Sequence, residues 1–256
     1  EFLFQPKFND LTPSSIVLAL GHAFFTLSLG MGTMITYGSY LKKDQNLLTS
    51  ALWIILLDTI IALMAGTAIF SAVFAMGANP SEGAGLIFVV LPTIFPAIQL
   101  GSIWGTLFFF LLFLAALTSA ISILEVITAY FIDEKGWSRT KATITFGVLI
   151  TIVGIFCSLS NGSFNDFVHL FDKSFMDLLD SLSSKYMLPI GGLLTGLFIL
   201  IHWGIPNFIA ELHIGMNNKT VQPSVVFILF MISVTVIGSI IVNEIVEMIF
   251  GYPIIG

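Results

Sequence analysis

Residues 19–32 read ALGHAFFTLSLGMG, and the fold turns on how the backbone passes through them. The stretch lies in the middle of the apolar run 14–41, where Gly30 and Gly32 bracket Met31, with Thr26 and Ser28 alongside. A glycine in a helix interior costs about 1 kcal/mol relative to alanine, and it can take backbone angles that open the helix. Two readings stand side by side. The helix is interrupted at mid-bilayer, baring carbonyls and N–H groups to ions and carboxylates, as in transporters. Alternatively, the glycines let neighbouring helices pack closely. The hydroxyls of Thr26 and Ser28 add weight to the first.

Outward from this segment the chain is apolar almost throughout. Of 256 residues, 57% are hydrophobic and 9% carry charge, with a mean hydropathy of +1.02. A soluble domain of this size needs roughly 25% charged residues to cover its surface, so lipid is the expected solvent. Six runs are long enough to cross the hydrocarbon core as helices: 14–41, 48–76, 102–131, 140–159, 182–203 and 224–250. A span needs about 20 apolar residues, and the backbone must satisfy its own hydrogen bonds in lipid. The expectation is one transmembrane domain over 1–256, all-α and polytopic.

Basic residues set the orientation. Lys42, Lys43, Lys135, Arg139, Lys141 and Lys219 fall in the loops after the first, third and fifth runs, against Lys7, Lys173 and Lys185 on the other side. The larger set is expected to face the cytoplasm, in a multi-pass protein of the cytoplasmic membrane. The loop 77–101 has no Lys or Arg and contains GLIFVVLPTIFPAI. Its hydrophobicity, with Pro92 as a break, points to a re-entrant or lid element on the outer face, the alternative being a loose loop at the headgroups. Residues 164–184 alternate apolar and acidic positions and read as an amphipathic outer segment. The chain opens on Glu1 with EFLFQPKFNDLT and no signal pattern. It reads as a fragment that begins inside a loop, with the N-terminal half of the same protein as its missing partner.

Polar residues inside such runs are costly unless they face a cavity or a partner. Asp58 is the acid within the second run, with no basic residue near it in that run, so a bound cation is a fitting partner; a protonated structural carboxyl is the alternative. In the third run, Ala115, Thr118, Ser122 and Glu125 recur every three or four residues and share one helical face. Hydroxyls there either glue helices together or supply oxygen ligands.

Oxygen donors suit hard cations, and the four scattered histidines and single cysteine give no zinc or copper spacing. No nucleotide loop, dinucleotide fingerprint or nucleophile–base pair is visible. The chain is therefore not expected to be an enzyme, nor to use an organic cofactor. Nine Lys and Arg without a cluster, at net charge −6, leave no nucleic-acid face.

The run 19–32 with TYGSY at 36–40 closely resembles the sixth helix of the neurotransmitter:sodium symporter family, in its bacterial amino-acid transporter branch. The resemblance continues in order through LLDTIIALMAG, the Pro-containing loop, FLAALTSAISILE and FMDLLDSLSSKYMLPIGGLL. It implies the second inverted repeat, helices 6–10, of the leucine-transporter fold, plus helix 11. It also implies sodium ligands at Thr26, Asp58, Ala115, Thr118 and Ser119, and substrate contacts at Phe25, Thr26, Ser28, Met31, Ser119 and Ile123. Phe25 matches the aromatic lid. Met31 stands where a leucine-transporting member has Phe, and its flexibility implies a broader range of apolar or aromatic substrates. Asp180 matches an outer-gate acid, Asp133 an inner-gate acid, and Tyr40 a tyrosine near the inner gate. His22 stands where the family usually has Gln. The family often has Asn where Asp58 stands, and chloride-using relatives have a chloride-binding Ser where Ala62 stands; an acid beside sodium in place of chloride implies chloride independence.

The expected function is sodium-coupled symport of a neutral, hydrophobic or aromatic amino acid by alternating access, with Na+ as the coupling ion and membrane lipid as surroundings. Two alternatives remain: proton coupling on the same fold through Asp58 or Glu125, and a truncated membrane protein that does not transport.

Overall fold

The computed structural model describes residues 5, 11–77, 86–160, 169–170, 173–216 and 221–250. Lys7 and Lys219, used above for orientation, lie outside the described residues. So do residues 78–85 of the expected lid and 164–168 and 171–172 of the expected amphipathic segment.

Thr12 opens the first helix, α1 (Pro13–Thr26): its hydroxyl accepts the Ser15 N–H, and Pro13 fits the first turn, where its missing N–H goes unused. After a non-helical stretch come α2 (Thr33–Ser39) and α3 (Leu47–Ala75). Then follow α4 (Leu86–Ala97), α5 (Gly101–Lys135), α6 (Arg139–Ser160), α7 (Phe175–Trp203), α8 (Ile205–His213) and α9 (Pro223–Phe250). Among the described residues, α3, α5, α6, α7 and Pro223–Val246 of α9 are long and apolar enough to cross a membrane. The shortest has 22 residues, which at about 1.5 Å per residue clears a 30 Å core. Large apolar side chains point outward along them, including Ile61, Met64 and Leu111, as lipid requires and water would not.

An all-α architecture holds, with one departure among the described residues. His169–Leu170 pairs antiparallel with Lys173–Ser174, within the stretch read from its sequence as an amphipathic outer segment. Just after it, the Ser174 hydroxyl accepts the Asp177 N–H and bonds the Asp177 carboxylate, capping α7.

The fold divides into two compact units, Glu1–Pro6 with Trp53–Ser122, and Lys7–Leu52 with Ile123–Gly256. In the first, the core forms where Val73 at the end of α3 meets Leu86, Val90, Leu91 and Ile94 of α4. Phe95 lies against Phe108 and Phe109 of α5, with ring centroids 5.8 and 6.2 Å away. The Phe95 carbonyl also sits where a side chain on Gly101 would go. Pro92 does not break this segment as its sequence led us to expect. The path stays helical, with a wide π turn over Leu86–Val90 passing into a normal turn over Leu91–Ile94. Widening one turn accommodates the N–H that proline lacks.

In the second unit α7 is the hub, packing on α9 and on α1. Its own Pro189 follows another π turn, Leu182–Met187. The α5–α6 connection is tight. Gly136 takes φ +64, and Gly136 and Trp137 donate back to Ile132 and Phe131. Trp137 and Phe146 both pack on the Phe131 ring, 4.9 and 4.6 Å away. Gly and aromatic contacts together close the turn that delivers Arg139.

Candidate functional site

The interruption proposed for residues 28–32 is present. Helix α1 ends at Thr26, and Leu27, Ser28 and Leu29 donate to the carbonyls of Ala23, Phe25 and Phe24. Ser28 then takes φ +53, Gly30 +77 and Gly32 +84. The glycines accept these angles freely, whereas Ser28 is strained. Only at Thr33 does α2 begin, with Thr36 N–H bonding the Gly32 carbonyl at 2.9 Å. Between the two half-helices the backbone carries polar groups that a continuous helix would have consumed internally.

Four of the expected substrate contacts sit around this interruption. Phe25 and Thr26 end α1, both exposed, while Ser28 and Met31 are half-buried in the unwound stretch. The Thr26 hydroxyl lies 3.5 Å from the Ala23 carbonyl. Ser119 and Ile123, the remaining two, lie one turn apart on α5.

Three expected sodium ligands cluster on α5 within the first unit. Thr118 donates to the Ala115 carbonyl at 2.9 Å, and Ser122 donates to the Ser119 carbonyl at 2.8 Å. Thr118 spends its proton on the Ala115 carbonyl, so the lone pairs of its own hydroxyl oxygen stay available on that patch of helix surface. A hard cation is bound through oxygens of this kind. Asp58, half-buried, is in α3.

The expected gate residues are distributed over three helices. Asp180 accepts a bond from the Ser184 hydroxyl at 3.1 Å on α7, and Asp133 is in the last turns of α5. Tyr40, at the end of α2, donates its phenol proton to Glu125 Oε1 at 2.7 Å. Arg139 holds the same carboxylate by both oxygens, at 2.8 and 3.0 Å. Arg139 entered the sequence reading only as a loop charge. Nothing local marks it as the partner of a residue 14 positions away, although the odd Glu125 on a hydroxyl-bearing face was a signal that some cation had to be found for it.

Comparisons with known proteins converge. The sequence model described as "Sodium:neurotransmitter symporter family" matches residues 1–253. An uncharacterized sodium-dependent transporter of Bacillus subtilis, YhdH, is 46% identical over 217 residues, 85% of this chain and 48% of the relative. An uncharacterized sodium-dependent transporter of Haemophilus influenzae is 34% identical, over 77% of this chain and 43% of that one. The crystal structure of MhsT in complex with L-phenylalanine superposes with a TM-score of 0.84 at 44% identity, covering 94% of this chain and 54% of MhsT. The chain thus spans about half the length of the relatives it matches.

Proposed function

This chain belongs to the sodium:neurotransmitter symporter family, and from that premise we propose that it forms half of the machinery of a sodium-coupled symporter for neutral hydrophobic or aromatic amino acids. It is a multi-pass membrane protein, and we place it in the cytoplasmic membrane. The observation that carries the proposal is the interruption at 27–32, where a strained Ser28 and two left-handed glycines open a helix amid apolar sequence. Strain of this kind persists where function uses it.

In this proposal the substrate lies against Phe25, Thr26, Ser28, Met31, Ser119 and Ile123. One sodium ion is held by Thr26 and Asp58, and another by Ala115, Thr118 and Ser119. The charge of Asp58 substitutes for chloride. Residues 77–101 form the outer lid over a single transmembrane domain, and Asp180 belongs to the outer gate. Asp133 and Tyr40 belong to the inner gate, where the Tyr40–Glu125–Arg139 cluster tethers the end of α2. The relatives' names support sodium dependence, and the phenylalanine in MhsT supports an aromatic or apolar substrate. Residues beyond this chain complete both sites.

Glu125 is a poor proton carrier, because its oxygens are committed to a guanidinium and a phenol. That arrangement speaks against Glu125 as the proton carrier and leaves Asp58 as the residue on which proton coupling would have to rest.

Equilibrium binding of radiolabelled phenylalanine to the full-length protein, with sodium titrated, tests the assignment. Asp58→Ala and Thr118→Ala are each expected to abolish or greatly weaken sodium-dependent binding. Unchanged sodium affinity in Asp58→Ala removes that residue from the site.

A further inference from the structure

The interrupted segment does not hang free in the second unit. It is seated on α7 through two adjacent glycines. A side chain on Gly191 would run into the Gly30 carbonyl oxygen, and one on Gly30 would run into the Leu188 carbonyl. Backbone touches backbone here, so neither side has a rotamer with which to yield. One residue on, the space that a Gly192 side chain would need is filled by the edge of the Phe24 ring. Phe24 is buried, whereas Phe25 beside it is 53% exposed. Successive helical residues point about 100° apart. Pinning Phe24 to α7 therefore fixes the rotation at which α1 presents Phe25 and Thr26. The Phe24 carbonyl in turn accepts the Leu29 N–H at 2.8 Å, so the same seat anchors the start of the unwound loop.

We propose that Gly191 and Gly192 are positioning residues that set substrate size selectivity without touching substrate, by fixing how far the 27–32 loop stands off α7. This rests on the transport function proposed above. The two glycines act unequally. A methyl at 191 has only the Gly30 backbone to displace, so the loop must move away from α7, and on the proposed function that movement narrows the substrate space. A methyl at 192 meets the far end of a ring that borders a crevice of about 600 Å³, lined also by Ser28, Thr195 and Ile237. Phe24 can swing partly into that space and absorb the change. Pocket walls discriminate steeply by size, with one methylene worth roughly tenfold or more. A loop displaced by a methyl radius has an effect of that order.

The test uses the full-length protein with saturating sodium and competition binding by alanine, leucine, phenylalanine and tryptophan. Gly191→Ala is expected to lower affinity for phenylalanine and tryptophan relative to alanine by about tenfold. Gly192→Ala should shift the ratio less, and Phe24→Leu in that background should restore it. Gly238→Ala, whose methyl points into open space, should leave the ratio unchanged. A wild-type ratio in Gly191→Ala overturns the proposal, as does a Gly192→Ala shift that Phe24→Leu fails to relieve.

A second readout separates the seat from the transport function. In a Cys157→Ser background, the rate at which Leu29→Cys reacts with a small methanethiosulfonate should change several-fold on adding Gly191→Ala, with or without amino acid. Wild-type protein that binds no amino acid sinks the transport function and the selectivity claim with it. An unchanged labelling rate sinks the seat itself.

Discussion

At the scale of single residues, the chain concentrates its unusual backbone where its chemistry is expected. Gly30 combines φ +77 with a carbonyl oxygen in the space of a β-carbon. Gly30→Ala should therefore lose at least about 1–2 kcal/mol from the left-handed angle alone, and more from the overlap. A fall in thermal stability of the detergent-purified full-length protein, alongside an unaffected Gly238→Ala, is the expected result. Thr33 and Thr128 bury hydroxyls that find no hydrogen-bond partner among the described residues. A buried hydroxyl left unpaired is a net cost, so Thr128→Val should be neutral or stabilising by up to about 1 kcal/mol. Lost stability in that variant would show that the hydroxyl is satisfied by a group or water. Arg139→Gln removes the cation from Glu125, whose side chain is 18% exposed against 62% for Arg139. Because solvent screens the Arg139 end of the pair, the expected loss of thermal stability is small but measurable. Thermal unfolding of Arg139→Gln, of Glu125→Gln and of the double variant isolates the pair itself.

At the scale of elements, what the sequence revealed depended on how local the cause was. The interruption after α1 was legible because Ser28, Gly30 and Gly32 write their own backbone angles. The long helices α3, α5, α6, α7 and α9 were legible because lipid demands continuous apolar runs. Two features were not. Pro92 looked like a break, but it sits just after a π turn that keeps the path helical, and Pro189 follows another. The seat of Gly30 on Gly191 and the Glu125–Arg139 pair depend on which helices become neighbours, and no local pattern records that. The aromatic and aliphatic contacts of α4 carry a prediction at this scale. Leu91 is nearly fully buried against Val73 and its neighbours, so Leu91→Ala should cost about 2 kcal/mol or more by leaving a cavity. Accelerated proteolysis within 77–101 of the full-length protein would report the loosened element, and unchanged protection would detach it from the core described above.

At the scale of the molecule, the two units divide the expected site residues. Phe25, Thr26, Ser28 and Met31 belong to one, and Asp58, Ala115, Thr118 and Ser119 to the other. The most direct measurement is uptake of radiolabelled phenylalanine by the full-length protein in liposomes, with sodium, chloride and pH gradients imposed one at a time. Uptake driven by an inward sodium gradient, undiminished when chloride is replaced, is the predicted result. Uptake that proceeds without sodium and follows the pH gradient would contradict it.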